Sequence, residues 1–162
     1  IRLNIEQAKN NRVFVEKRYF QNVEDLRQAE ESLYNFQKKY GIVAVPEQLE
    51  VSVKAAAEIE AQLVARELYS KLIKEQFHES SPQYQAVMVE VELLRKKVME
   101  LKNSDKLSSV SNVLFPFKLM PDIAIQYLRL YREIELQQTI MEFILPLYEQ
   151  AKVEEQKSIG PG

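Results

Sequence analysis

The sequence predicts an all-α protein: an elongated antiparallel helical hairpin or coiled-coil bundle of about four long helices, with almost no sheet. Three observations carry this. Only three glycines and six prolines punctuate 162 residues, too few breaks for the regularly spaced turns of a strand-rich fold. Apolar side chains recur at alternating steps of three and four, which places them on one face of a helix. Pro46, Pro82 and Pro121 each open such a stretch, and proline suits the first helical position because the N–H it lacks would have no partner there. The spacing predicts helices near 3–40, 46–79, 81–102 and 121–156 in a single unit over 1–159, with 160–162 an added or truncated end.

In the first segment, Val23, Leu26, Leu33, Phe36 and Tyr40 keep the three-four spacing, with Ala29 and Glu30 straddling the step between. Val13, Phe14, Val15, Tyr19 and Phe20 form a denser cluster that wraps further round the helix. Arg12, Glu16, Lys17, Arg18, Glu24, Asp25, Glu30 and Glu31 take much of the remaining surface. Lys38 and Lys39 followed by Gly41 mark the stop: cations sit near the last carbonyls, then comes a residue tolerant of positive φ. Ile42-Val43-Ala44-Val45 is short and β-branched, an extended connector with room for one short strand, and Pro46 biases Val45 to the extended region.

Leu49, Val53, Ala56, Ile59 and Leu63 form the first seam of the second helix, continued by Leu68, Leu72, Ile73 and Phe77. Glu67 and Lys71 stand at the favourable i, i+4 spacing. Ser80-Ser81-Pro82-Gln83 is a break and a restart. Either Ser80 caps with Gln83 three residues on, or Ser81 caps directly ahead of Pro82. Tyr84, Val87, Val91, Leu94, Val98 and Leu101 then give the cleanest heptad, with Glu92 and Lys96 paired on its outer face. So short a turn predicts that helices two and three fold back antiparallel.

The segment 103–119 starts polar and turns apolar at Val113-Leu114-Phe115-Pro116-Phe117. A connection of this length has two readings. Its apolar side chains lie down on the helices, or they meet a neighbouring subunit or the membrane face. The second reading makes Val113, Leu114, Phe115 and Phe117 candidate contact residues.

The chain is organised around its last stretch, 120–155. Met120, Ile123, Tyr127, Leu130, Ile134, Gln137, Met141, Ile144, Tyr148 and Ala151 form one seam. Leu136, Ile140, Phe143 and Leu147 add a second stripe, so this helix should touch more than one neighbour. Pro121 with Asp122 beside it is a good opening, since the acid faces the positive end of the helix dipole. At about 1.5 Å per residue the helix is roughly 50 Å long, more than a compact domain needs. Pro146 removes one backbone hydrogen bond. It marks either a kink or a joint, with one helix ending near Leu145 and another beginning at Pro146.

Composition narrows the function. Lys and Arg number 22 against 24 Asp and Glu, a formal charge of -2, which removes the electrostatic reason to propose nucleic acid. There is no cysteine, which fits an oxidising or a reducing compartment equally. No apolar run approaches the ~20 residues of a membrane span, and no signal peptide is visible. The chain starts at Ile1 and ends in Gly160-Pro161-Gly162, so it reads as a piece of something longer. His78 is the only histidine, and without cysteine it has no metal-binding company; it reads as a surface or cap residue. No phosphate loop and no nucleophile elbow is present. Ser108, Ser109 and Ser111 have no base near them in sequence. No catalytic, cofactor or metal residues are therefore nominated, and the chain reads as non-enzymatic.

Leu128-Arg129-Leu130-Tyr131-Arg132-Glu133-Ile134-Glu135, followed by Phe143-Ile144-Leu145-Pro146-Leu147-Tyr148-Glu149-Gln150-Ala151-Lys152-Val153-Glu154-Glu155, resembles the distal segment of the Wzz/GumC-type polysaccharide co-polymerases, or chain-length determinant proteins. The match is to the pattern Y-L-x-L-x-R-E and then Y-E-x-A-K-x-E-E, and it singles out Arg132, Glu133, Tyr148, Glu149 and Lys152. Earlier stretches have a similar character, with F-V-E-K-R at Phe14 to Arg18, A-E-E-x-L-x-x-F from Ala29 to Phe36, and S-P-x-Y at Ser81 to Tyr84. Only 127–155 is specific; the rest is generic coiled-coil texture. The chain departs from the family pattern in lacking both transmembrane helices, the proline-rich stretch, the membrane-proximal α/β portion and the nucleotide motif of kinase-fused members.

The resemblance implies a non-enzymatic role without cofactors, as the periplasmic part of a bacterial inner-membrane protein. Such proteins form homo-oligomers and, alongside the polysaccharide polymerase and the growing polysaccharide, set the modal length of O-antigen (in lipopolysaccharide), capsule or exopolysaccharide. Membrane contact would run only through segments absent from this chain. The alternative is the helical hairpin of a periplasmic membrane-fusion adaptor in a secretion or efflux system. A cytoplasmic coiled-coil scaffold is a third reading.

Overall fold

The computed structural model describes residues 4–42, 47–103 and 121–159. They form four helices, with no strand among the described residues: α1 (Ile5–Tyr40), α2 (Glu47–Gln76), α3 (Pro82–Asn103) and α4 (Pro121–Ile159). The ends follow local chemistry. Asn4 accepts from the Gln7 N–H at 2.7 Å and caps α1, supplying a partner for one of the free N–H groups of the first turn. Gly41 stops α1 in the left-handed region at φ 68, which costs a residue without Cβ nothing. Ile42 N–H then returns to the Gln37 carbonyl at 3.0 Å, the six-to-one closure of a helix end. At the α2–α3 turn the second capping option holds: the Ser81 hydroxyl accepts from the Tyr84 N–H at 3.2 Å, directly ahead of Pro82. His78 sits exposed in that turn, its Nδ1 accepting from the Ser80 N–H at 3.2 Å.

α4 packs against both α1 and α2, α3 packs on α2, and α1 also reaches α2, where Gln7 Nε2 donates to the Glu75 carbonyl at 3.3 Å. Directions follow from the contacts. Arg12 meets Glu155 and Phe36 meets Tyr127, so α1 and α4 are antiparallel. Val53 clusters with Tyr127 and Leu128, while Leu68 clusters with Ile144 and Tyr148, so α2 runs parallel to α4. Lys74 pairs with Glu79 beside the turn and Glu67 with Arg95 further from it, so α3 reverses along α2 as the short turn requires. With 39 residues, α4 is about 58 Å long at 1.5 Å per residue.

Three apolar clusters form the core. Leu33, Val53, Tyr127, Leu128 and Tyr131 fill one end, where burial raises the pKa of both tyrosines. Val15, Ala61, Leu68, Ile140, Ile144 and Tyr148 fill the middle of the three-helix layer, and Ile73, Val87 and Val91 join α2 to α3. The expectation that the last helix touches more than one neighbour holds, and Tyr127, Gln137, Ile144, Tyr148 and Ala151 of its seam are buried.

Other details differ. The buried stripe of α1 runs through Ala8, Asn11, Val15, Asn22, Ala29 and Leu33, and Val23 is exposed. On α2 Val53, Leu68 and Ile73 of the expected seam are buried, together with the stripe Ala57, Ala61 and Ala65, while Ala56, Ile59 and Leu63 are only half-buried; the small side chains let the parallel α2 and α4 approach closely. Glu67 turns to Arg95 instead of Lys71, and Glu92 pairs with Arg95 instead of Lys96; the fork of Arg95 reaches two carboxylates, which an ammonium cannot do in the same plane. α4 passes through Pro146 without ending near Leu145. Glu142 and Pro146 are both exposed, so proline stands on the outer face of α4, while Ile144 and Tyr148 hold both sides of it to the same cluster.

Candidate functional site

The contact residues predicted at Val113, Leu114, Phe115 and Phe117 lie outside the described residues. The family-like residues are all described, and α4 divides them between two places.

Tyr148, Glu149 and Lys152 stand at the end of α4 that meets the start of α1. The Tyr148 hydroxyl donates to Glu16 Oε1 at 2.6 Å. Arg12 reaches Glu16 at 2.7 Å and Glu155 at 2.6 Å, and all three charged side chains are half-buried. The ring of Tyr148 stacks on Tyr19, centroids 5.3 Å apart, and meets Phe20 edge-on at 6.2 Å. Lys152 Nζ lies 4.5 Å from the Tyr148 ring centroid, a cation over a π-face, and pairs with Glu149 at 3.3 Å.

The electrostatics are set by these contacts. The Tyr148 hydroxyl, and then Arg12, hold the Glu16 carboxyl below its ordinary range. Arg12 does the same to Glu155. Accepting Tyr148 as a donor, Glu16 pushes that phenol up. Both carboxylates are thus ionised and the phenol neutral across the middle of the pH scale, which makes the group a clamp between α1 and α4. The sequence pattern places Arg12 and Glu16 on the solvated face; the structure corrects this. The available signal was the i, i+4 spacing of Arg12 and Glu16 beside the buried Ala8 and Val15.

Arg132 and Glu133 stand further back along α4. With Val53, Ala56, Ala57 and Leu136 they line a cleft of 280 Å³ between α2 and α4. The Glu133 carboxylate accepts from Gln137 Nε2 at 2.9 Å, and Gln137 Oε1 accepts from Asn22 Nδ2 at 2.6 Å. Asn22 and Gln137 are buried, and a buried amide that lost its partner would be costly. The pair therefore fixes the register of α1 on α4. Asn22 was missed because Val23 satisfies the apolar spacing one residue later.

A wider groove of 530 Å³ lies between α2, α3 and α4. Tyr69, Leu93, Leu94, Phe143 and Leu147 give it an apolar lining, and Arg66, Glu90 and Lys97 sit at its rim. Among the described residues no group of three His, Cys, Asp or Glu could hold a metal ion. Among them no helix is long and apolar enough to cross a membrane.

Comparison of the chain with protein-family models, with curated proteins and with solved structures finds no match in any of the three.

Proposed function

We propose that this chain is the helical periplasmic part of a chain-length determinant: a non-enzymatic, homo-oligomeric inner-membrane scaffold that works beside a polysaccharide polymerase and sets the modal length of a bacterial surface polysaccharide. One observation carries the reading. The stretch that resembles the co-polymerase family is α4, the helix on which both α1 and α2 pack, and its Tyr148, Lys152 and Glu155 belong to the clamp onto α1. The resembling segment is therefore the part that the rest of the chain is built around. Long helices whose polar clusters tie helix to helix suit a scaffold.

The test replaces this stretch in the parent protein with the corresponding stretch of a relative that sets a different length. A shifted polysaccharide ladder on a gel, with polymerisation intact, is the expected result. A ladder unchanged by the swap would refute the assignment. Loss of all polymer would point to an enzyme or an essential export channel.

A further inference from the structure

We infer that the cleft of 280 Å³ between α2 and α4 is filled by this chain's own connection 104–120, with Phe115 and Phe117 seated against Ala56, Ala57 and Leu136. The connection lies outside the described residues; its two ends, its reach and its sequence commit it to this place. The cleft exists because Ala56 and Ala57 are small where α2 faces α4, and Val53 and Ala57 are buried at its floor. Its volume is just below the roughly 300–1,000 Å³ of small-molecule sites and suits a few side chains.

Both ends of the connection stand beside the cleft. Glu67 pairs with Arg95, and Gln62 and Lys97 line one groove, so α3 runs along α2 in a steady antiparallel register. Asn103 comes six residues after Lys97 and Ala56 six before Gln62, so α3 ends level with the cleft. At the other end Val53 packs with Tyr127 and Leu128, which puts Pro121 about 10 Å beyond Val53 towards the start of α2. The two ends are thus only about 15 Å apart along the helix axes, whereas 104–120 can extend over roughly 60 Å. The surplus is not polar filler. It includes Val113, Leu114, Phe115 and Phe117, side chains that gain by leaving water.

Reach selects this cleft over the wider groove. Phe115 is six residues before Pro121 and Phe117 four, so they extend at most about 21 and 14 Å from it. Arg129 to Leu136, the α4 side of the cleft, stand about 12 to 22 Å from Pro121. Phe143 and Leu147, the α4 side of the groove, stand about 33 and 39 Å away and are out of range. Pro116 biases Phe115 to extended backbone. Residues two apart in an extended chain face the same way, so Phe115 and Phe117 enter together. The tether also holds them at an effective concentration in the millimolar range, which favours them over a second copy. This contact does not depend on the function proposed above.

The chain holds no tryptophan and no cysteine, so single probes read unambiguously. Phe115→Trp places an indole in the cleft. Its emission should lie to the blue of solvated indole and move to the red when Ala56→Glu is added, with the helical circular dichroism unchanged. Emission at the solvated position, or a blue emission indifferent to Ala56→Glu, would overturn the proposal. Cysteine pairs give a second readout that introduces no charge. A short bismaleimide should link Ala56→Cys to Phe115→Cys within one chain at least tenfold faster than it links Leu93→Cys, in the groove, to Phe115→Cys. Equal rates would overturn the proposal, as would links that form only between chains and so point to a second copy. Should Ala56→Glu lose helix, the cross-linking comparison decides alone.

Discussion

The seam between α1 and α4 and the seam between α2 and α3 join helices of the same antiparallel kind by different means. The first mixes stacked rings, a buried amide pair and half-buried charges. The second has a buried core of Ile73, Val87 and Val91 with Tyr69, Phe77 and Tyr84 packed on it, and its ion pairs Arg66–Glu90 and Glu67–Arg95 are exposed. A seam of apolar contacts rewards area and tolerates sliding. A seam with buried amides penalises any register in which they lose each other. Neighbours matter as well: α4 packs closely on both α1 and α2, whereas α3 packs mainly on α2.

The largest effect should come from the shared middle cluster. Ile144 is fully buried between α1, α2 and α4, and Ile144→Ala should cost about 2–5 kcal/mol through lost burial and the cavity left behind. Urea unfolding measures this, and a cost below that range would mean the middle cluster repacks easily. Asn22→Ala should come next, at about 1–3 kcal/mol, because it strands the buried Gln137 amide. Replacing both with leucine should recover most of that stability while loosening the register, which cross-linking between α1 and α4 would read. A double variant with unchanged register would remove the amides as its cause.

The charged contacts should separate the seams by their response to pH. Glu16 and Glu155 have folded pKa values below the ordinary 4.5, so their contribution is present above that value and is lost as pH falls through the depressed ones. Tyr148 is raised above 10.0, so its contribution is present below 10.0 and is lost as pH rises through the folded value. Stability should therefore plateau between. Arg12→Leu should weaken the acid limb through both carboxylates, and Tyr148→Phe should remove the alkaline limb together with the Glu16 share of the acid one, in melts taken across pH. Arg66→Ala, in the other seam, should change stability by no more than about 0.5 kcal/mol, as expected of an exposed pair. A larger cost there would mean that α3 depends on its ion pairs after all.

What the sequence determined by itself was every feature that local physics decides. Helices start at Pro82 and Pro121 and stop at Gly41 because proline lacks an N–H and glycine accepts positive φ. Their existence follows from a spacing that only a helix gathers onto one face. α4 was legible as the organising element because its apolar surface is too wide for one neighbour. The tertiary structure alone decided what depends on residues far apart in the chain. Arg12 and Glu155 are 143 residues apart and Asn22 and Gln137 115, so no local pattern distinguishes these polar side chains from solvated ones. The choice of Asn22 over Val23, and of the Ala57–Ala61–Ala65 stripe over Ile59 and Leu63, has the same origin. A helix offers several apolar faces within one residue of each other, and the partner helix selects the one that pairs its amides and lets the backbones close.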